Sequence, residues 1–428
     1  MYKIGEYLEV SIVDFSHDGQ GVGKIDDFIV FVDGALIGDI VKTEIIKLKK
    51  NYGIGKLIEI IKPSENRIME ESNYLSQIGG FSLWNYAYEA QKEYKESLVK
   101  KNIEKFTRLK GVEVNQIIGM DNCDNYRNNI QLSVKNGRIG YMKKSSNDVV
   151  EIEREYYEPK GTMNIVGVLK SSKLVKKLKM IGIRDNFLGK KMLILVTDKN
   201  VELEILDILE DLIECDVEVI YHNINTNPRY HYGKKFIKLY GEDFYDEING
   251  YKFLISPNSF FQVNREQTAK MYNYAVSQLD IKSEDRIVDG YCVIGTISMM
   301  VSKEAKSVFG IELSESAIAD AKTNAFLNGI DNTEFILGDI GDAIKDIRVY
   351  DKVIIDPPRS GCDSKVLDSL LEVKPKNIVY VSCNPTTLAR DLDVLLGNYE
   401  LIDVQSFDMF PMTPHVETVV TLTIKVNN

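Results

Sequence analysis

A chain of 428 residues is long enough for two or three domains. Its 44% hydrophobic and 27% charged residues are the proportions of an ordinary globular protein, which excludes the disordered, collagen-like and disulfide-scaffold classes. The formal net charge of −11 gives no general attraction to a polyanion. Any contact with a nucleic acid must therefore depend on local basic patches.

The amino terminus and the cysteines indicate where the protein works. MYKIGEYLEV has no basic start followed by an apolar stretch, and unbroken aliphatic runs are only about as long as residues 193–196. The five cysteines never form a CxxC pair, which argues against a disulfide framework and against a zinc module. We expect a cytoplasmic protein with free thiols, no membrane segment and no bound metal.

One local basic patch lies between Gly161 and Asn200. This basic segment has nine Lys or Arg residues against two Asp, a local balance of +7. It is a candidate surface for binding the backbone of a nucleic acid. The alternative is a solvated face whose lysine stems lie along apolar surface.

The first sixty or so residues predict short strands separated by turns. YLEVSIVDF, FIVFVDGAL, DIVKTEIIKLKK and YGIGKLIEII carry alternating β-branched residues, with Gly, Asp and Asn between them. A small closed β-barrel of the oligonucleotide-binding kind over residues 1–62 fits this pattern, with Pro63 and Ser64 ending it. A barrel that binds no ligand is the alternative, because shape alone does not decide function.

Residues 63–250 predict a central domain of mixed type. Apolar residues at helical spacing run from about Leu83 to Lys110. Alternating runs such as KKMLILVTD and DVEVIYHNI follow. We interpret this part of the chain as an α+β domain.

Residues 251–428 alternate buried strands with helical stretches. RIVDGYC, SVFGIEL, TEFILGD, YDKVIIDPP and NIVYVSCNP are the strands, and their regular alternation predicts an α/β, Rossmann-like fold with a doubly wound parallel sheet. Two final strands, ELIDVQSFD and VETVVTLTIKV, have no helix between them and should pair as an antiparallel hairpin at one edge. That ending resembles the topology of class I methyltransferases.

Ligands of an open parallel sheet bind at the carboxyl ends of its strands. The first strand ends in a loop with only Gly290 and Gly295, which is not a dinucleotide fingerprint. Glu312 ends the second strand, where a carboxylate can accept hydrogen bonds from both ribose hydroxyls. Asp339 follows the third strand and suits an adenine amino group. The set favours S-adenosylmethionine over NAD, although each acid alone also suits a helix cap.

The fourth and fifth strands end in the motifs DPPR and SCNP. Cys383 stands just before a predicted helix, whose peptide dipoles should lower the pKa of its thiol. We take it as the candidate nucleophile, and the alternative is a small buried apolar cysteine. A motif similar to Asp356-Pro-Pro also occurs in amino-methyltransferases, a rival class that transfers to nitrogen without a thiol.

Five motifs together resemble one enzyme family. FFQVN, DGYCVIGT, DPPR, SCNP and HVET are similar, in order and spacing, to the RNA uracil-C5-methyltransferases, particularly to members that act on 23S ribosomal RNA. The predicted amino-terminal barrel resembles the TRAM domain of those members. The resemblance covers essentially the whole chain, and its specificity comes from SCNP together with DPPR and HVET.

The resemblance implies a role for each motif residue. Cys383 would bond to C6 of uracil, and Glu417 would be the general base that removes the C5 proton. Phe260 and Phe261 are expected to pack rather than to stack on the base. The implied cofactor-binding residues are Gln262, Tyr291, Gly295, Glu312, Asp339 and Asp356, and the implied substrate-binding residues are Asp356 and Arg359.

The resemblance also implies partners. S-adenosylmethionine is the expected cofactor, and the expected substrate is a folded RNA whose target uridine leaves its stack. We favour 23S ribosomal RNA, with transfer RNA as the alternative, although transfer-RNA members usually lack the barrel. A monomer is the default expectation.

The chain departs from the family pattern at an iron–sulfur motif. Many members with this barrel hold a cluster through C-x5-C-G-G-C and a later cysteine. Here Ser72, Ile78 and Phe81 occupy the first three of these positions and Glu155 the last. Because every thiolate ligand is missing, we expect no cluster, with Ile78 and Phe81 packing in its place.

Val293 is the second departure, since family members usually have glycine there. If the loop needs a positive φ at this position, valine would be strained. The strain favours a rival interpretation, a catalytically weakened protein that only binds RNA. The presence of Cys383, Glu417, Gln262 and Asp356 favours an active enzyme.

Overall fold

The computed structural model of the chain describes residues 2–69, 72, 74–227, 229–347 and 349–426, including every side chain in these ranges except that of Leu203. These residues form an amino-terminal barrel, a central mixed sheet and a carboxy-terminal sheet flanked by helices. Among their helices, none is both long enough and apolar enough to cross a bilayer.

The amino-terminal part forms a closed barrel, as the sequence predicts, but with five strands rather than the four predicted runs, because residues 21–25 form a further strand. The five strands are β1 (Tyr7–Phe15), β2 (Gly21–Ile25), β3 (Phe28–Val32), β4 (Ile40–Leu48) and β5 (Tyr52–Lys62). The barrel closes in the order β1-β2-β3-β5-β4 around Val10, Val30 and Val41, each at most 1% exposed. Gly23 allows the strands to approach, because a Cβ there would lie 2.1 Å from Cγ1 of Val10.

The central sheet follows a long helix and a short strand. The elements are α1 (Tyr88–Phe106), β6 (Asn115–Ile118), β7 (Asn129–Lys135), β8 (Arg138–Met142), β9 (Val149–Glu151), α2 (Thr162–Ser171), β10 (Leu178–Asp185), β11 (Lys191–Thr197), α3 (Glu202–Leu206), α4 (Leu209–Glu214), β12 (Val217–Ile224) and β13 (Phe236–Tyr240). The sheet order is β13-β12-β11-β10-β7-β8-β9. β11 is buried at every residue because Leu193 and Leu195 face α2, while Met192 and Ile194 pack with Phe261.

The carboxy-terminal part alternates strands and helices, as predicted. The elements are β14 (Tyr245–Ile248), β15 (Tyr251–Leu254), α5 (Arg265–Gln278), β16 (Arg286–Gly290), α6 (Thr296–Ser302), β17 (Ser307–Glu312), α7 (Glu315–Leu327), β18 (Thr333–Leu337), α8 (Ile340–Ile347), β19 (Lys352–Ile355), α9 (Ser364–Val373), β20 (Asn377–Ser382), α10 (Pro385–Leu395), β21 (Tyr399–Phe407) and β22 (Glu417–Ile424). The sheet order is β18-β17-β16-β19-β20-β22-β21-β6. Strands β16 to β20 are parallel, and β22 is antiparallel to β20 and β21.

The segment predicted as a central domain, 63–250, does not pack as one unit. Helix α1 packs on α10, and β6 pairs in parallel with β21. The terminal hairpin therefore does not form the sheet edge, because β6 covers it. At the other end, residue 250 falls in the turn of the β14–β15 hairpin, which α7 holds through a hydrogen bond from Leu254 N to Asn324 Oδ1 at 2.7 Å.

The basic segment between Gly161 and Asn200 is not the open cationic surface that the sequence suggests. Two of its nine cations, Arg184 and Lys191, are buried. Four more form ion pairs with carboxylates, namely Lys170 with Glu151, Lys177 with Glu204, Lys179 with Asp198 and Lys190 with Asp216. Three of these carboxylates, Glu151, Glu204 and Asp216, lie outside the segment and offset part of the charge that a linear count assigns to it.

Candidate active site

A large cavity lies where the carboxyl ends of the carboxy-terminal strands face the barrel. Its volume is about 1410 Å³, above the range of about 300–1,000 Å³ in which a single small ligand usually binds. Lys56 and Leu57 of the barrel, Arg127 of the central part and the strand ends of the carboxy-terminal sheet line it. The cavity therefore offers room for two ligands between three parts of the chain.

Most of the site residues predicted from the sequence meet in this cavity. Gln262, Tyr291, Glu312, Asp356, Arg359, Cys383 and Glu417 all line it. They come from six separate segments of the chain, and the parallel strands bring their carboxyl ends to one edge of the sheet.

Two predicted cofactor residues, Gly295 and Asp339, do not line the cavity. Gly295 precedes α6 with φ +84°, and a Cβ there would lie 3.0 Å from the ring of Phe335, so its role is to allow close packing beneath the loop. Asp339 forms an ion pair with Lys365 at 3.2 Å and accepts a hydrogen bond from Asp342 N. Asp339 thus caps the amino terminus of α8, which is the alternative to cofactor binding for an acid at the end of a strand.

The candidate nucleophile and base lie beside each other. Ser382 pairs with Thr418 where β20 and β22 adjoin. Cys383 directly follows Ser382, and Glu417 directly precedes Thr418, so antiparallel pairing brings the two residues to the same end of the sheet. Cys383 is half-buried, and Glu417 is 5% exposed.

The electrostatic surroundings of Cys383 correct one prediction. The expectation that the amino terminus of α10 lowers the pKa of this thiol is wrong. Burial, followed by the carboxylates of Glu417 and Asp356, raises the pKa of Cys383 to about 12, and only Arg359 opposes them among nearby side chains of the described residues. Burial of the thiol and, after it, the two neighbouring acids therefore decide the direction of the shift.

The pKa values of two carboxyl groups in the cavity, Asp356 and Glu417, are also raised. Burial raises the pKa of Asp356 to about 7. Burial and the neighbouring Asp356 raise the pKa of Glu417 well above its usual range. A carboxyl group with a pKa of about 7, as at Asp356, can exchange protons near neutral pH, which is a requirement for a general acid or base.

Tyr272 is a site residue that sequence reasoning missed. Its hydroxyl donates a hydrogen bond to Asp356 Oδ2 at 3.2 Å and accepts one from Gln262 Nε2 at 3.2 Å. It therefore joins two predicted site residues from a position on α5. Its only signal in the sequence is its place on a helix that follows FFQVN, a pattern that is equally typical of a core tyrosine.

We expect catalysis by this site to accelerate as the pH rises from about 6 to about 9. A base must be ionised to accept a proton; Asp356, with a pKa of about 7, ionises within this range, and the raised pKa of Glu417 shifts its ionisation in the same direction. The thiolate fraction of Cys383 also grows with pH throughout the range, because its pKa lies near 12. Single-turnover methylation rates across this range test the sign, and a rate that is flat or falls with pH would contradict it.

The loop after β16 has an unusual backbone. Tyr291 has φ +67° and Val293 has φ +49°, followed by Gly295 in the same left-handed region. The condition raised for Val293 in the sequence, a positive φ, is met in the structure. A β-branched residue in this region costs on the order of 1–3 kcal/mol.

At position 293 we expect glycine to give a more stable protein than alanine, the reverse of the usual order of stability. Both Val293→Gly and Val293→Ala remove the same side-chain packing, but only glycine adopts φ +49° without strain. We expect the glycine variant to be more stable than the alanine variant by about 1 kcal/mol. Urea unfolding of both variants measures the difference, and an alanine variant of equal or greater stability would show that the loop tolerates a Cβ.

Two of the four positions that hold iron–sulfur ligands in many relatives of this type carry buried apolar side chains. Ile78 is 2% exposed and Phe81 is fully buried. The Phe81 ring stacks on Tyr157 with 4.3 Å between centroids, as an apolar replacement requires. Among the described residues, no group of three or more His, Cys, Asp or Glu is arranged to hold a metal ion.

The two phenylalanines of FFQVN behave differently from each other. Phe261 is 7% exposed and packs against Phe253, as expected. Phe260 is 60% exposed and lines the cavity, so the prediction that it packs is wrong. The alternation of an extended segment places neighbouring side chains on opposite faces, and only one face here meets the core.

Comparisons with known proteins agree with this arrangement. A family model described as tRNA (uracil-5-)-methyltransferase matches residues 246–425, and a TRAM domain model matches residues 2–58. An uncharacterized RNA methyltransferase of Listeria innocua is 37% identical over 450 residues, covering 99% of each chain. Another, of Clostridium tetani, is 38% identical and covers 95% of this chain and 94% of its own.

One solved structure extends the similarity to the whole fold. It is the Pyrococcus abyssi tRNA (uracil-54, C5)-methyltransferase in complex with S-adenosyl-L-homocysteine, with a TM-score of 0.81 and 25% identity. The match covers 97% of this chain and all of that one, so it includes the barrel, the central sheet and the carboxy-terminal sheet. By its relatives and by the family model, the chain belongs to the RNA (uracil-5-)-methyltransferase family and carries a TRAM domain at its amino terminus.

Proposed function

We propose that the protein transfers a methyl group from S-adenosylmethionine to C5 of a uridine in RNA, through a transient bond between Cys383 and C6 of the base. The observation that carries this proposal is the pairing of Ser382 with Thr418, which sets Cys383 beside Glu417 in a cavity with room for a cofactor and a base. The thiol of Cys383 and the adjacent carboxyl group of Glu417 supply the nucleophile and the base that C5 methylation needs.

The residues at the strand ends fit the cofactor. Glu312 lines the cavity at the end of β17, and Ser314 N orients its carboxylate by donating a hydrogen bond to Oε1 at 2.9 Å. Gln262, Tyr291 and Asp356 line the same cavity. These four residues would hold the nucleoside and amino-acid parts of S-adenosylmethionine, which supplies an electrophilic methyl group when bound. Asp339 is left out of this set because it does not line the cavity and pairs with Lys365.

The remaining chemistry belongs to the protein's own side chains. Cys383 Sγ forms a bond to C6, and its proton passes to a carboxylate of the cavity, which the high pKa of the thiol makes necessary. Negative charge then develops at C5, the atom that accepts the methyl group. Glu417 removes the C5 proton, the Sγ–C6 bond breaks and the C5–C6 double bond forms again. Arg359, whose charge lowers the pKa values of Cys383 and Glu417, favours the ionised forms.

The RNA must present its uridine outside a helix. A thiol approaches C6 from above the base plane, so the base has to be extruded into the cavity. We propose 23S ribosomal RNA as the substrate, as the motif resemblance indicates. Transfer RNA is the second candidate, because the structural neighbour from Pyrococcus abyssi is named for a transfer-RNA position and shares the barrel.

Mapping of 5-methyluridine in ribosomal and transfer RNA tests the substrate. RNA from a strain that lacks the gene should lose 5-methyluridine at one or more ribosomal positions, and the purified protein should restore it in vitro. Loss in transfer RNA alone would replace the first candidate by the second. No loss in either, together with no affinity for S-adenosylmethionine by calorimetry, would favour the weakened RNA-binding protein.

A further inference from the structure

The loop between β12 and β13 has a composition that the proposed active site does not explain. Residues 225–235, here called the RYHY loop, contain Arg229, Tyr230, His231, Tyr232, Lys234 and Lys235 and no carboxylate. All of these residues except Tyr232 are exposed, and Tyr230 is 67% exposed. Position 228 lies outside the described residues. A basic loop with interleaved aromatic side chains is typical of surfaces that bind single-stranded nucleic acid.

Asparagine side chains hold the backbone of the RYHY loop. Asn223 Nδ2 donates to the carbonyls of Gly233 and Lys235 at 3.0 Å each, and Asn223 Oδ1 accepts from Gly233 N at 2.7 Å. Asn225 Nδ2 donates to the carbonyl of Tyr230 at 2.7 Å. Because Asn223 and Asn225 are buried, the loop is fixed from within and presents its cations in a defined arrangement.

The cations of the RYHY loop form no ion pairs among the described residues, unlike four of the nine cations of the basic segment. Lys170, Lys177, Lys179 and Lys190 of that segment each have a carboxylate partner. Within the described residues, none of the ion pairs involves Arg229, Lys234 or Lys235. In a chain with a net charge of −11, such unneutralised positive charge attracts a polyanion locally. Lys173, Lys176 and Lys199 of the basic segment are also exposed and without an ion pair among the described residues, but the RYHY loop places such cations next to the exposed ring of Tyr230.

A chain of contacts joins the RYHY loop to the active-site cavity. Tyr232 packs on Phe236, and its hydroxyl lies close to the backbone of β10, where a Cβ on Gly182 would be 2.4 Å from it. Arg184, also on β10, donates from Nη2 to the carbonyl of Ser259 at 2.6 Å. The next residue, Phe260, is exposed and lines the cavity. The loop and the cavity wall are therefore tied to the same strand.

We propose that the RYHY loop is a second RNA-binding site, which holds an unpaired stretch of the substrate outside the catalytic cavity. Tyr230 stacks on an unpaired base, while Arg229, Lys234 and Lys235 contact the flanking phosphates. This inference rests on the proposed function, because it assumes that the substrate is RNA. It assigns the loop to single-stranded RNA rather than to a duplex, since an exposed ring can stack only on a base with a free face.

Two loop variants and one matched control test the proposal. The variants are Tyr230→Ala and the triple change Arg229→Gln, Lys234→Gln and Lys235→Gln. The control is Lys173→Gln with Lys176→Gln, which removes exposed charge from the basic segment. The probes are a fluorescein-labelled RNA hairpin with a uridine-containing loop and a blunt RNA duplex without one. Fluorescence anisotropy at several salt concentrations gives the dissociation constants.

The two loop variants should weaken RNA binding in different ways. We expect Tyr230→Ala to weaken binding of the hairpin by about 5- to 150-fold without changing the salt dependence, and to leave duplex binding unchanged. The triple variant should reduce the slope of log affinity against log salt by about 2, the value for three phosphate contacts with a single strand. The control should change hairpin affinity by no more than about threefold, because its lysines lie outside the proposed site.

The outcomes separate this proposal from the proposed function. If the wild-type protein methylates uridine while both loop variants bind the hairpin as it does, the second site is wrong and the function stands. If hairpin affinity falls as predicted but no methylation occurs under any condition, the loop assignment stands and the proposed chemistry fails. Equal weakening by the control would show that general charge, not the loop, binds the RNA.

Discussion

Replacement of Cys383 by alanine should reduce uridine methylation on the order of 10⁴-fold or more, while affinity for S-adenosylmethionine stays within about twofold of the wild type. Loss of a covalent nucleophile removes the step that makes the chemistry possible, and effects of this size are typical of such residues. Cys383 shares the cavity with the proposed cofactor residues. Single-turnover rates and calorimetry measure the two effects separately.

Cys215→Ala is the matched control for this experiment. Cys215 is also a half-buried cysteine, but it lies at the end of α4 and outside the cavity. We expect full activity from this variant. A Cys383 variant with substantial methylation would instead favour direct transfer to nitrogen or another nucleophile, the chemistry of the amino-methyltransferase rival.

Replacement of Lys95 by methionine should lower the free energy of unfolding by about 3–5 kcal/mol, because it leaves a buried carboxylate without its partner. Lys95 and Asp408 are both fully buried, and Lys95 Nζ also donates to the carbonyl of Phe410 at 3.1 Å. Asp408 Oδ2 has no hydrogen-bond partner among the described residues, so Asp408 depends on this lysine. Urea unfolding followed by circular dichroism gives the difference.

Lys270→Met is the control for the buried pair. Lys270 pairs with Glu266 one turn away on α5 at 2.7 Å, in an exposed position. Such pairs contribute at most about 0.5 kcal/mol, so this variant should unfold almost as the wild type does. Asp408→Asn should restore part of the lost stability in the Lys95→Met background, since it removes the buried negative charge that Lys95 no longer neutralises. Equal effects of both lysine variants would mean that Asp408 is solvated or protonated rather than held by Lys95.

The Lys95–Asp408 pair also connects stability with the site. Asp408 directly follows β21, and the connection from there to β22 carries Phe410 and His415 to the cavity and ends at Glu417. Helix α1 is therefore bound to the segment that positions the general base. This contact adds to the apolar packing of α1, whose Val99 and Ile103 are buried in the same cluster as residues of the carboxy-terminal sheet.

Elements with a strong local pattern could be predicted from the sequence. The alternating strands of the barrel and the buried strands of the carboxy-terminal sheet follow from periodicity, and motif order indicated Cys383, Glu417, Gln262 and Asp356. The position of β6 could not be predicted, because four residues carry too little pattern to show which sheet they join. Tyr272 was missed for a similar reason, since a tyrosine on a helix reveals nothing of the carboxylate it meets.

Predictions that depended on charge were the least accurate. The basic segment looked cationic because carboxylates such as Glu204 and Asp216 lie further along the chain. The pKa of Cys383 was judged from one helix, whereas Glu417 and Asp356 act on it from other strands. Electrostatic effects depend on distance in space, and only the fold brings these groups together.

The central claim is that Cys383 bonds to the base during the reaction. An RNA substrate with 5-fluorouridine at the target position should trap this bond, because Glu417 cannot remove fluorine as it removes a proton. We expect mass spectrometry of the digested complex to find the methylated nucleotide attached to the peptide that contains Cys383, in amounts close to one per protein chain. No attachment by an active enzyme, or attachment to a different residue, would contradict the account.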